Sequence, residues 1–347
     1  MKKTTKKLVI IIIVVLMFII SVLPLAAGMF FKYRRLGYTK QEEERIKTFS
    51  QDVQDMFLQG YNENMLKIMD IEGFDESRFE DYYYFYGLID DDVKLINLIN
   101  RNILKKDNYT KIQDLYNDEY FLDKNEDLYL KYIDNFNTAR DVVKTINTLR
   151  YKVLYDDVVD TDMSKGYLIL VNKYHKLAAD YEPDDLVTIE ANYGKGETRK
   201  EVYEQYKKLQ DEGNSLGYEF TICSAYRSYD YQEGLYNKYL AQEGSVSIVD
   251  QHSARPGHSE HQSGLCLDLT NPEYGMDDFG LSDAGKWVAE NCYKYGFIIR
   301  YTEGDEDITG YQAEPWQIRY VGSEEVAKKI YDSGITFDEY YACFVED

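Results

Sequence analysis

The sequence predicts an α+β protein: a compact C-terminal domain with a small central antiparallel sheet, preceded by a helical spacer region and an N-terminal transmembrane helix. Three observations carry this. Residues 8–31 are an almost unbroken apolar run, residues 33–165 place apolar side chains at helical spacing with little Gly or Pro, and the remainder alternates short strand-like runs with amphipathic stretches. That alternation lacks the regular strand–helix–strand spacing of a parallel sheet, which leaves α+β. With 347 residues and 44% hydrophobic content the chain has material for a membrane segment and about two domains.

Residues 1–7 carry Lys2, Lys3, Lys6 and Lys7, and the run from Leu8 to Phe31 is broken only by Ser21, Pro24 and Gly28. It matches the roughly 20 residues needed to cross a bilayer and exceeds the 7 to 15 of a cleavable signal core. We read a cytoplasmic tail, an uncleaved anchor and an extracellular remainder on a single-pass cell-membrane protein. Cleavage after Ala26, Ala27 and Gly28 is the alternative, and Lys32, Arg34 and Arg35 weaken the charge asymmetry that sets orientation. A net charge of −22 excludes nucleic acid as a partner, because its phosphates would be repelled.

Residues 32–165 read as short helices in a spacer, with positions such as Val53, Met56 and Phe57 or Val142, Val143 and Ile146 facing a core. Asp92–Asn97 and Val142–Asn147 echo one another and suggest repeats of about 50 residues. No clustered His, Cys or Ser here could carry a reaction. The region reads as a plain spacer or a wall-contacting stalk, and the 35 tyrosines against 15 phenylalanines suit half-wet, carbohydrate-facing surfaces or reflect compositional bias.

The second domain, residues 166–347, opens with Leu168–Leu186, where Pro183 and an acidic pair mark a turn. A helix is expected from Thr198 to Gly213, with Thr198 and Glu201 at capping-box spacing. Tyr218–Ile222 alternates like a strand and delivers Ser224–Ser228 to the start of a helix from Tyr229 to about Gln242. Further on, Leu265–Leu269 and Phe297–Tyr301 read as strands, Ser282–Tyr295 as a helix, and Glu314–Val321 as the last extended stretch.

The chemistry concentrates between Ala254 and Asp268, since three of the four histidines, His252, His258 and His261, fall at or just before it. Imidazole binds zinc and moves protons near neutral pH. If Leu265–Leu269 is a strand, its three leucines share one face, and Asp268 shares the other with Cys266 beside the turn holding His261. Such a pair can hold zinc. None of the four cysteines has Cys-x-x-Cys spacing; a Cys223–Cys266 bridge and small buried thiols both remain open.

Ser259-x-His261-x-x-Gly264-x-Cys266-x-Asp268, preceded by Arg255-Pro256-Gly257 and joined with Ser224–Ser228 and Glu314-Pro315-Trp316, resembles the D-alanyl-D-alanine carboxypeptidase family related to VanY. The resemblance covers about residues 165–347 and implies a zinc carboxypeptidase-like domain acting on peptidoglycan stem peptides, whether as a D,D- or an L,D-enzyme. It implies that His261 and Asp268 bind zinc, that Glu314 activates the water and Arg227 stabilises the oxyanion, and that Ser259, Gln232 and Tyr226 hold the peptide. Two positions depart from the family pattern: Gln317 stands where the third zinc ligand, a histidine, is expected, and Cys266 stands for an alanine. A neutral amide is a poorer zinc ligand than imidazole, so zinc occupancy turns on Gln317. Cys266, His258 and His252 are the candidate substitutes. Two readings follow: a membrane-anchored enzyme removing a terminal D-amino acid, and a degenerate relative that binds wall peptides without turnover.

Overall fold

A computed structural model describes residues 32–346 apart from 61 and 90, so the expected anchor at 8–31 lies outside the described residues. Among the described residues no helix is long and apolar enough to cross a membrane. The chain divides into two compact units, Met1–Asn117 and Asp118–Asp347.

The described part of the first unit is built of short helices, among them Gln51–Phe57, Glu63–Ile68, Phe79–Phe85 and Asp92–Asn100. Isolated helices of this length are marginal in water, so their stability comes from the faces they bury. Tyr33, Ile46, Phe57, Met65 and Phe79 form that core. Local caps add to it: the Asp91 carboxylate accepts from the backbone N–H groups of Val93 and Lys94.

In the second unit, Ala139–Asn147 buries Val142, Val143 and Ile146. Its Arg140 donates to Glu339 at 3.1 Å, and Asn147 donates to the Cys343 sulfur at 3.7 Å, both on the C-terminal helix Phe337–Phe344. The unit boundary therefore falls at Asn117/Asp118, inside the stretch 32–165, because residues after 118 pack on the carboxypeptidase-like part. The two units share a hydrogen-bond pattern. The Tyr82 hydroxyl accepts from Asp75 N and donates to Asn100 Oδ1, and Asn100 Nδ2 donates to Gly73 O. Tyr129, Leu122, Asn147 and Tyr120 repeat each role. The steps 82 to 129, 100 to 147 and 73 to 120 give an interval of 47 residues, three short of the one read from the sequence, because a slip of about one helical turn leaves an apolar pattern in phase.

The central sheet has four antiparallel strands, β1 (Thr221–Ser224), β2 (Cys266–Thr270), β3 (Phe297–Tyr301) and β4 (Glu314–Tyr320), in the order β1-β2-β4-β3. One face packs Ile222, Leu265, Leu267, Leu269 and Ile318 against Val202, Tyr206 and Leu209 of α1 (Lys200–Ser215) and Trp287 and Val288 of α2 (Asp283–Asn291). The mixed helix-and-sheet architecture with a small antiparallel sheet agrees with the sequence.

Two local expectations are corrected. The helix begins at Lys200 with Arg199 as N-cap, and Thr198 lies in a short strand with its hydroxyl donating to Gly264 O at 3.0 Å. Gly213 is inside the helix, where an added Cβ would stand 2.6 Å from the Phe220 ring; close packing, not helix termination, requires it.

Candidate active site

The sheet's other face carries the site, and two irregularities aim it. In β1 the register runs Ile222 to Leu269 and then Ser224 to Asp268, so the bulge at Cys223 turns Ser224 from the core phase to the phase of Asp268. In β4 the register runs from Ile318 opposite Ile299 to Glu314 opposite Tyr301, with Pro315 and Trp316 in the irregular stretch. Proline has no N–H to give a ladder and is at home in such a bulge. Gly280 allows this course: a Cβ there would stand 2.6 Å from that of Pro315.

Ser224, Asp268 and Gln317 lie in one cross-strand row, each opposite the next. Directly paired residues share a face with Cβ atoms about 5 Å apart. Asp268 is buried, and Arg227 Nη2 donates to its Oδ2 at 2.6 Å while Arg227 Nε and Nη2 donate to the Ser224 hydroxyl at 3.0 and 2.9 Å. His261 Nδ1 lies 2.6 Å from the carbonyl oxygen of Ala225, which can only accept, so Nδ1 carries the hydrogen and Nε2 faces Asp268 Oδ2 at 3.2 Å. The 260–263 turn that presents His261 ends at Gly264, whose φ of 68° is left-handed.

Burial would raise the Asp268 carboxyl, but the neighbouring His261 and Arg227 outweigh it and hold the group below the usual carboxylate range. Glu314 is partly open to the cleft, yet loss of water around its carboxyl, reinforced by the Asp268 charge, pushes it up to about 8. Two carboxyls in one cleft are thereby driven apart, one held ionised and one able to carry a proton near neutrality. The cleft encloses about 110 Å³, and Arg227, Gln232, Ser259, His261, Asp268, Glu314 and Gln317 all line it. Gln232 Nε2 donates to Ala254 O at 2.8 Å while its Oε1 is buried without a partner.

The structure does not bring Tyr226 to this cleft. The strand ends at Ser224, and the Tyr226 ring lies among Tyr181, Glu182 and Glu197 instead. Cys266 shares the Asp268 face but is fully buried outside the cleft, where burial holds its thiol well above the ordinary range and denies it a thiolate. His258 is buried with Nδ1 2.7 Å from the Asn172 carbonyl oxygen. His252 lines the cleft, with Nε2 2.9 Å from Glu243 Oε1. All four cysteines are free.

Sequence reading missed Glu260. Buried beside His261, it meets Arg300 Nε at 2.7 Å and Arg319 Nε at 2.9 Å, and Arg300 also meets Asp338 at 2.7 Å. The signal was available: Arg300 is a lone charge in the otherwise apolar run Phe297–Tyr301, and a buried guanidinium demands a carboxylate.

The donor set can be tested against zinc. His261 Nε2 offers a lone pair to a carboxylate oxygen 3.2 Å away, an arrangement that calls for a cation or a second proton between them. Asp268 Oδ1 is buried with no partner. These two groups fit zinc; Gln317, in the adjacent row position, offers a neutral amide as the third. Among the described residues no three His, Cys, Asp or Glu gather as a metal site.

A carboxylate–imidazole pair, a second carboxyl pushed up to about 8 and a fixed guanidinium all line one cleft, a set suited to hydrolysis. The VanY family profile, D-alanyl-D-alanine carboxypeptidase, matches residues 195–323. YodJ of Bacillus subtilis (strain 168), a carboxypeptidase by name, is 42% identical over 186 residues, covering 51% of this chain and 67% of that one. A D-alanyl-D-alanine carboxypeptidase of Enterococcus faecalis (strain ATCC 700802 / V583) is 33% identical over 189 residues, 52% of this chain and 67% of its own. Among solved structures, the LdcB LD-carboxypeptidase is 37% identical with a TM-score of 0.49, covering 55% of this chain and 92% of that one. The chain belongs to the VanY family of D-alanyl-D-alanine carboxypeptidases.

Proposed function

We propose that the protein is a carboxypeptidase that removes a C-terminal D-amino acid from peptidoglycan stem peptides, working with a weakly held zinc ion. The observation that carries this is the convergence of His261, Asp268, Glu314 and Arg227 in one cleft. The name of the Enterococcus faecalis relative, D-alanyl-D-alanine carboxypeptidase, supports a substrate ending in D-Ala-D-Ala. His261 and Asp268 would hold the metal, with the Gln317 amide oxygen as a weak third donor. Zinc, when bound there, supplies Lewis acidity toward the scissile carbonyl and the attacking water.

The remaining steps belong to the chain's own groups. A Glu314 carboxyl titrating near 8 can take a proton from water and return it to the leaving amine. Arg227, fixed by Ser224 and Asp268, holds a permanent charge toward the oxygen on which negative charge develops. Gln232, with an unpartnered buried oxygen, and Ser259 line the wall that would orient the peptide's end. We also propose that the run from Leu8 to Phe31 anchors the protein in the cell membrane with this domain outside.

Gln317 favours a second reading, peptide binding without turnover. Incubating the protein with zinc and a stem peptide ending in D-Ala-D-Ala separates the two. Release of D-Ala supports the enzyme; saturable peptide binding with no release, even at high protein concentration, supports the second reading.

A further inference from the structure

We propose that the first unit carries a saccharide site, formed by tyrosines of the helix Phe79–Phe85 and its surroundings, that takes the glycan strand of the wall. Tyr83, Tyr84, Tyr86 and Tyr109 line a cavity of about 370 Å³, a volume in the range of small-molecule sites. Three of the rings are linked: Tyr83 and Tyr84 have centroids 5.9 Å apart, and Tyr84 and Tyr109 5.4 Å. Tyr83 is 42% exposed, so its ring is open to a ligand at the cavity's edge. Asn62 and Asn64 supply amides at the same cavity, over a floor of Met65 and Ile68.

The chemistry of this lining selects the ligand. In a chain with a net charge of −22, none of the described residues lining the cavity is charged. Lys106, 5.5 Å from the Tyr84 ring, is neutralised by its ion pair with Glu80. An uncharged wall of aromatic faces and amides complements a neutral pyranose, whose C–H face stacks on rings while its hydroxyls bond amide and phenol groups. The tyrosines are also additions to the repeated scaffold. At the 47-residue interval that relates Tyr82 to Tyr129, the positions of Tyr83, Tyr84 and Tyr86 are filled by Leu130, Lys131 and Ile133. The helix pair therefore does not need them to fold. That the saccharide is wall glycan rests on the peptidase reading above; that it is a saccharide rests on the cavity alone.

The test uses the full chain, a β-1,4-linked N-acetylglucosamine hexamer, and glycan strands stripped of peptide. We expect saturable binding of both, weakened roughly tenfold by Tyr83→Ala or Tyr84→Ala, about the loss of one good ring contact. Asp268→Asn should leave binding unchanged. Absence of saturable binding, or binding unmoved in both tyrosine variants, would overturn the saccharide site. Binding of the hexamer without the strands would overturn its assignment to wall glycan, and loss in Asp268→Asn would move the ligand to the peptidase cleft. Thermal melts of each variant separate lost contacts from lost fold, and failure of D-Ala release leaves the hexamer result standing.

Discussion

Glu260→Gln is the sharpest test of how the site is held. The substitution keeps the side chain's size and removes one charge from a cluster in which Arg300 and Arg319 are buried against Glu260 and Asp338. With Glu260 neutral, Arg300 keeps the Asp338 carboxylate, while Arg319 loses its carboxylate partner and is left with backbone carbonyls. Breaking a buried pair by neutralising one partner costs about 3–5 kcal/mol, because the remaining charge is left uncompensated. Arg319 also donates to the carbonyls of Tyr167 and Ile169 at 3.1 and 2.8 Å, so the damage reaches the segment that leads into the domain. For a unit of this size the loss corresponds to a fall in melting temperature of about 6–20 °C. Urea unfolding of the variant beside Lys328→Ala, which removes an exposed pair with Asp332 and a distant contact with the Tyr293 ring and should stay within about 0.5 kcal/mol, is the assay. A cost for Glu260→Gln below about 1 kcal/mol would refute the reasoning.

Gly280→Ala pushes a methyl against Pro315 and should displace Glu314, so D-Ala release falls while the melting temperature drops by only a few degrees; unaltered release would argue against the bulge as the device that aims Glu314. Burial pushes the Lys173 amine from an ordinary 10.5 down to about 7. Between those values the unfolded chain binds the extra proton, so stability rises with pH from 7 to 10 by up to about 1.4 kcal/mol per unit; Lys173→Met should flatten that slope in denaturation series. Tyr129→Phe removes the hydroxyl that serves both Leu122 N and Asn147 and should cost about 1–3 kcal/mol by urea titration.

Much of the site was legible because its motifs are local. His261 and Asp268 lie on a turn and the strand it feeds, and alternation along Leu265–Leu269 places the leucines in the core and Asp268 opposite. What escaped depends on register or on partners far apart in the chain. The bulge at Cys223, which turns Ser224 toward Asp268, leaves no mark in composition. Thr198 and Glu201 carried the spacing of a helix cap, but the Thr198 hydroxyl is taken by Gly264, 66 residues on. Tyr226 was read with its neighbours as site-facing, yet the backbone turns after Ser224 and sends only Arg227 back to Asp268. Residues 118–165 read as more spacer, since the Arg140–Glu339 contact joins segments that no local pattern links.

Zinc binding and turnover by the native protein beside Gln317→His test the central claim most directly. Even changes one layer beyond the ligands alter metal affinity by about 10–100-fold, so restoring an imidazole at the row position next to Asp268 should raise zinc affinity by at least about tenfold, with D-Ala release rising in step. A native protein that already holds one zinc as tightly as the variant, with equal release from both, would contradict the account.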